Sequence, residues 1–317
     1  MLLRWHIILG LLAAFTYAAD HNLFKTCARV GVCNRLRKTP PNELFKIDNL
    51  EPTSKGDYIN SWKLSRGKDK FRLTIQLLEK GKVRFQLKEE NKKRYELKDV
   101  LDADQPKRIK VKVQTIRDRQ TTIRPHPSIN EKHSVVIYKK PLKVSFLYDE
   151  KEMVVLDSTN LVMEYKKESY DGKDEEIKDI GFSVKFSDAL KLYGLHHHAY
   201  DLELPDTSDM EPFRLRNSDT AGFESNSPMA LYGSVPVIYG HSKTSTTGIF
   251  LHNAAEQWVD ITYKKAGSPS AHFMVDSGSF DLFVMLGPKI ENVIQQFTDL
   301  TVMDAGIPSM SLVVFYR

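Results

Sequence analysis

Phe71-Arg72-Leu73-Thr74-Ile75-Gln76-Leu77, then Glu79-Lys80-Gly81-Lys82, then Val83-Arg84-Phe85-Gln86-Leu87: these residues decide how the chain folds. Phe71, Leu73, Ile75 and Leu77 alternate with Arg72, Thr74 and Gln76, a period of two that puts one face of a strand inward and the other in water. Glu79-Lys80-Gly81-Lys82 supplies a polar turn, and alternation resumes at Val83, Phe85 and Leu87, so a β-hairpin is expected.

Outward from the hairpin the same period recurs. It returns in Ile109, Val111 and Val113, in Val135 to Tyr138, in Leu142, Val144, Phe146 and Tyr148, and in Met153 to Leu156. A second β-rich stretch covers Phe182, Val184 and Phe186, then Met229 to Tyr239, Thr247 to His252, Trp258 to Tyr263 and Ser279 to Leu286. Short strands at this spacing, with little helical periodicity, predict a mainly β fold, an antiparallel β-sandwich. Between the halves, Lys166 to Asp179 packs ten charged residues into fourteen positions and is expected to be a solvated loop. One helical stripe stands near the end, where Ile290, Val293, Ile294, Phe297 and Leu300 follow Gly287-Pro288; it is expected to pack on the sandwich edge.

The chain has 317 residues, 41% of them hydrophobic and 27% charged, a balance that excludes a disordered or many-span membrane protein. At about 150 residues per domain, one large domain or two ordinary ones are expected. The net charge of +5, with both signs evenly mixed, gives no support for nucleic acid as a partner. Met1-Leu2-Leu3-Arg4, the apolar run Trp5 to Phe15 and the small residues Ala18-Ala19 have the order of a secretory signal peptide. The run is shorter than the about 20 apolar residues a membrane span needs, so cleavage is expected near Ala18 or Ala19, with no membrane span left afterwards. Entry into the secretory pathway permits a disulfide, and the only two cysteines, Cys27 and Cys33, are expected to form one. There is no Lys-Asp-Glu-Leu-type ending at Val314-Phe315-Tyr316-Arg317, so residence in the endoplasmic reticulum would need a partner.

Several chemistries lack their residues. No Gly-x-Gly-x-x-Gly, Walker loop, His-Glu-x-x-His, Cys-x-x-Cys or Gly-x-Ser-x-Gly occurs, and no cofactor is expected. Lys107, Arg108, Lys110, Lys112, Arg117, Arg119 and Arg124 interleave with apolar residues, as on the wet face of a strand. His196-His197-His198 is not expected to bind metal, because adjacent side chains of an extended segment point to opposite faces. Asp201, Asp206, Asp209, Glu211, Asp219 and Glu224 cluster, but their spacing selects no pair of carboxyls across a sugar. Trp258 could be a sugar platform or a core aromatic, and its strand favours the core.

Longer strings carry a resemblance. They are Leu192-Tyr193-Gly194, His198-Ala199, Glu211-Pro212-Phe213-Arg214-Leu215-x-Asn217-x-Asp219 and Ser227-Pro228-Met229-Ala230-Leu231-Tyr232-Gly233-Ser234-Val235-Pro236. Gly248-Ile249-Phe250, Asn253-Ala254-Ala255-Glu256-x-Trp258-Val259-Asp260-Ile261, and Phe24-Lys25-Thr26-Cys27 with Cys33 continue them. The mature chain to about Thr301 thereby resembles the α-subunits of endoplasmic-reticulum glucosidase II, within glycoside hydrolase family 31.

The resemblance implies the galactose-mutarotase-like N-terminal sandwich of that family, followed in the family by a (β/α)₈ barrel that carries an aspartate nucleophile and an acid/base aspartate. A barrel takes about 250 residues, and only sixteen follow Thr301, so no (β/α)₈ barrel and no catalytic residue are expected here. What the resemblance does place in this chain is a loop reaching over the active site, with Asp219 and neighbouring Thr220 as substrate-binding residues. It departs from the family at Ala221, where an aromatic is expected, and at Leu195-His196-His197. Family substrates imply a glucosylated N-glycan or related α-glucoside as ligand, a noncatalytic β-subunit as partner, and the endoplasmic-reticulum lumen as location. A free-standing carbohydrate-binding or β-subunit-binding module is the alternative. The expected order is a signal peptide at 1–19, a disulfide-bearing segment at 20–45, the sandwich at 46–286 with its charged loop 166–179, and a linker helix with truncated tail at 287–317.

Overall fold

The computed structural model describes residues 25–38, 41, 43–49, 51–98, 100–102, 107–116, 119–170, 173–220, 222–264 and 267–301. The expected signal peptide, the tail after Thr301 and Ala221 lie outside the described residues.

The opening hairpin forms as its alternation demands. Asp69–Leu78 pairs antiparallel with Lys82–Glu89, Leu77 facing Val83 and Leu73 facing Leu87. Lys80 and Gly81 take φ of 59° and 74° at the turn, the left-handed conformation that reverses the chain in so few residues. Phe71, Leu73, Ile75 and Leu77 are each no more than 1% exposed. The hairpin sits within the first sheet, which runs neighbour to neighbour through Lys46–Ile47, Asn60–Arg66, Asp69–Leu78, Lys82–Glu89, Phe280–Leu286, Thr246–Leu251, Val235–His241 and Lys191–His196. Its centre joins distant parts of the chain: Phe280 faces Leu87, and Val284 faces Val83.

The second sheet runs through Phe213–Leu215, Gln257–Thr262, Ser270–Val275, Ile180–Phe186, Lys151–Asp157, Lys143–Tyr148, His133–Tyr138, Gln120–Pro125 and Val111–Ile116. All pairings in both sheets are antiparallel, so the predicted β-sandwich is the observed architecture. Aromatic rings tie the two layers together. Phe182 of the second sheet stacks on Phe273 at 4.9 Å and on Phe280 of the first sheet at 4.4 Å, and Phe280 touches Phe85 at 5.4 Å. Such ring pairs add about 0.5–1.5 kcal/mol each beyond area burial. On the outer face of the first sheet, buried Asp281 accepts from Arg84 Nε at 2.9 Å and lies 3.3 Å from His252 Nδ1, so this charge is paired.

Three expectations are corrected. The charged segment 166–179 is not a loop along its length, because Lys166–Tyr170 and Lys173–Ile177 pair as a hairpin of their own. A two-strand ladder needs no apolar face when it satisfies its own backbone groups, which is why periodicity missed it. The stretch Met229 to Tyr239 is extended only from Val235 onward. The helix Ile290–Thr298 packs not on the sandwich edge but over the outer face of the first sheet, where Val293 and Leu300 join Phe250, Phe283 and Met285. Ile290 and Ile294 of the same stripe are 44% and 49% exposed, since Val293, Gln296 and Phe297 take the inward positions.

Candidate functional site

The site is built on the edge of the second sheet. Phe213–Leu215 pairs with Gln257–Thr262, which sets Arg214 opposite Trp258. Beyond Leu215 the chain leaves the ladder and doubles back on itself. Ser218 N donates to the Leu231 carbonyl at 3.0 Å, Gly233 N donates to Asn217 Oδ1 at 3.1 Å, and the Tyr232 hydroxyl donates to Asp219 Oδ1. The Asp219 carboxylate raises the Tyr232 phenol above its ordinary value, chiefly through this hydrogen bond. Gly233 has φ +93°, and a Cβ there would lie 2.9 Å from the His197 ring, so only glycine fits where the loop passes that histidine.

The opposite wall is the N-terminal segment. Cys27 and Cys33 form the expected disulfide, bridging the 3₁₀ turn Cys27–Arg29 to the helix Gly31–Lys38. Val32, Cys33 and Leu36 of that helix bury against Trp258, Met274 and Val162. Arg37 secures it: Nε donates to Asp260 Oδ2 at 2.9 Å, and Nη2 donates to the carbonyls of Thr207 and Met210 at 2.8 and 2.6 Å. Arg35 pairs with Glu164 at 2.9 Å and with buried Asp179. Burial, the largest influence, pushes Asp179 up to about 6 against the pull of Arg35, with Asp276 and Glu164 adding to the rise. Cys27 N donates to Glu211 Oε2 at 2.7 Å, fastening the segment next to the strand that leads into the loop.

Between these walls lies a cleft of about 550 Å³ whose lining includes Lys25, Arg29, Asn217, Asp219, Thr220 and Glu256. Asp219 is exposed, and Thr220 beside it is half-buried. Glu256, the other acid of the cleft, is engaged by two guanidinium groups: Arg214 Nε donates to it at 2.6 Å and Arg216 Nη1 at 3.3 Å. Arg214 also lies 5.7 Å from the Trp258 ring centre. At 2% exposure Trp258 is a core aromatic and offers no sugar platform.

The other candidate residues disperse. Asp206 accepts from the backbone N–H groups of Ser208 and Tyr263, Glu211 holds Cys27 N, and only Asp219 of the acid cluster lines the cleft. Among the described residues no group of three or more His, Cys, Asp or Glu could hold a metal ion. His198 Nδ1 and Nε2 lie 2.7 and 2.9 Å from the carbonyls of Leu195 and Arg214, so its ring braces the loop entry. Sequence reasoning did not find the cleft wall at Lys25 and Arg29. A spacing of apolar positions at Val32, Cys33 and Leu36 would have marked the helix beside it.

The family model for the glycosyl hydrolase 31 N-terminal galactose mutarotase-like domain matches residues 72–260, well over half of the chain. This chain belongs to that family. Within the family it is similar to glucosidase 2 subunit alpha of Schizosaccharomyces pombe, 31% identical over 193 residues that make up 51% of this chain and 21% of the relative. A crystal structure of the glucosidase II alpha subunit in a Glc1Man2-bound form superposes with a TM-score of 0.77 at 25% identity, covering 90% of this chain and 37% of that one. An ER glucosidase II heterodimeric complex, of the catalytic subunit and the binding domain of the regulatory subunit, superposes with a TM-score of 0.76 at 26% identity over 88% of this chain and 37% of that one. The chain thus spans between about a fifth and two fifths of the length of these relatives, and it is the N-terminal sandwich portion of a glucosidase II α-subunit-like family 31 protein.

Proposed function

We propose that this sandwich supports and lines the substrate pocket of an α-glucosidase without breaking the glycosidic bond itself. The observation that carries the reading is the loop at Asn217 to Thr220, which brings an exposed carboxylate, steadied by Tyr232, into a cleft of sugar-binding size. A carboxylate so held accepts hydrogen bonds from two adjacent sugar hydroxyls and thereby orients the ring. Asp219 takes this role, with Thr220 as its neighbour. Bond cleavage with retention needs a second carboxyl roughly 5–5.5 Å away that can carry and release a proton. Glu256 is committed to Arg214 and Arg216, so the cleft offers no free second acid among the described residues.

The substrate class is a glucosylated N-glycan or related α-glucoside, the partner is a noncatalytic β-subunit of the glucosidase II type, and the compartment is the endoplasmic-reticulum lumen, reached through a signal peptide at 1–19. The working boundaries are 20–45 for the disulfide segment, 46–286 for the sandwich and 287–317 for the linker. A β-subunit-binding module is the second reading, supported by the heterodimer whose catalytic subunit this chain matches.

The purified 317-residue chain is expected to release no glucose from an α-1,3-linked glucosyl disaccharide; measurable release overturns the proposal. Binding of that disaccharide, followed by calorimetry, is expected to vanish in Asp219→Ala. Co-purification with a β-subunit despite Asp219→Ala separates the partner-binding role from the sugar-binding one.

A further inference from the structure

Away from the Asp219 cleft, a second hollow of about 240 Å³ lies where the hairpin turn at Lys80-Gly81 meets the helix Ile290–Thr298. Its lining includes Asn292, Gln295 and Gln296, together with Glu131 and half-buried Tyr148. Asn292 Oδ1 already accepts from Lys289 N at 3.1 Å and Gln295 Nε2 donates to Asp299 Oδ1 at 3.0 Å, which leaves the Asn292 amino group and the Gln295 carbonyl for an occupant. Gln296 is 3% exposed, and its Nε2 donates to the Lys80 carbonyl. Its Oε1 is buried and has no hydrogen-bond partner among the described residues. A buried acceptor without a donor is costly, so an occupant of the hollow that can donate a hydrogen bond relieves that cost.

The electrostatics narrow the occupant. Glu131 Oε1 accepts from Lys80 N at 2.7 Å, and its Oε2 is 3.4 Å from His133 Nδ1. Burial, the largest influence, pushes Glu131 up, but His133 and the N–H groups of Lys80 and Gly81 prevail and hold it below its ordinary value. The nearby cation Lys80 is 2.7 Å from Asp299. An ionised carboxylate in the wall and a cation already paired disfavour an anion. Amides and a carboxylate that can exchange hydrogen bonds with hydroxyls, next to an aromatic ring that can cover C–H bonds, are the groups a neutral sugar ring uses. The volume lies below the about 300–1,000 Å³ of pockets for drug-sized ligands, which limits the occupant to one ring.

We propose that this hollow is a second carbohydrate site, taking a single neutral hexose ring between the amides of Gln295 and Gln296, the Glu131 carboxylate and the Tyr148 ring. Asp219 is not part of it, so it stands or falls apart from the pocket-lining role.

The test is a titration of methyl α-glucoside, and separately methyl α-mannoside, into the ¹⁵N-labelled 317-residue chain, observed by NMR. Saturable shifts are expected at the side-chain amides of Gln295 and Gln296 and at Gly81 N–H for at least one of the sugars. Gln295 is exposed, so Gln295→Ala is expected to keep the melting temperature while weakening that binding at least fivefold. Gln296→Leu is expected to abolish it, with the NMR spectrum of the remaining chain as the control for folding. The same shifts are expected to persist in Asp219→Asn. The proposal is overturned if neither sugar gives saturable shifts there, if glycerol reproduces them at equal concentration, or if Gln295→Ala binds as tightly as the parent.

Discussion

The space between the two sheets and the loop from Arg216 to Tyr232 are made by opposite means. Between the sheets, Phe182, Phe273 and Phe280 are each no more than 1% exposed, and ring stacking joins the layers. The loop has exposed Asp219 and a 58% exposed Tyr232, and hydrogen bonds at Asn217, Ser218 and Asp219 hold its shape. Dispersion and burial are insensitive to direction, whereas a few hydrogen bonds specify where one carboxylate points. Stability therefore belongs to the first region, and the recognition role proposed for Asp219 to the second.

The contrast can be broken most forcefully from inside. Phe182→Ala is expected to cost about 3–5 kcal/mol, because it empties the contact between sheets; denaturant unfolding monitored by tryptophan fluorescence measures it. A value below 1 kcal/mol would mean that the layers are not joined there. Replacing both Cys27 and Cys33 by Ser is expected to cost about 2 kcal/mol, the loop-closure value for so short a ring. The first transition in thermal melts should fall while the sandwich signal persists, since the ring anchors the cleft wall and not the layers.

A subtler effect comes from Asp179. Its folded-state value of about 6 lies above its unfolded one, so the folded chain binds the extra proton. The stability this group contributes is present below about pH 4 and is lost as pH rises through about 6, on the order of 3 kcal/mol in all. Asp179→Asn removes that dependence, and the melting temperature of the parent relative to the variant should decline between pH 4 and 7. A parallel pair of curves would dismiss the buried-carboxylate account. Smallest of all, Asp219→Ala should change stability by less than about 0.5 kcal/mol, measured in the same melts, while sugar binding in the cleft is lost.

How far the sequence disclosed these two regions follows from what each is made of. Alternation at Phe71 to Leu77 and Val83 to Leu87 announces a half-buried hairpin because burial imposes a period on side-chain type. The hairpin Lys166–Tyr170 with Lys173–Ile177 is composed mostly of charged and polar residues with no apolar alternation, so its backbone pairing leaves no trace in periodicity. Gln76 and Lys82 lie on what alternation marks as the wet side, yet they are 5% and 2% exposed. The helix Ile290–Thr298 and Arg108 cover that side, and long-range coverage has no local signature. Family strings rather than periodicity point to Asp219. Its partner Tyr232 stands thirteen residues away, and the cleft wall at Lys25 and Arg29 comes from the far end of the chain. Spacing along the chain cannot reveal a site assembled from such distances.

One pairing also sets a timetable. Leu87 waits for Phe280, a residue 193 positions later (280 − 87), before its strand gains a neighbour on that side. At synthesis rates of about 5–20 residues per second, that is roughly 10–40 s in which an early ribbon keeps an open flank. Arg84, Gln86 and Lys88 project charge and amide from that ribbon, the kind of side chains that discourage a stray strand from occupying the seat before its rightful neighbour has been made.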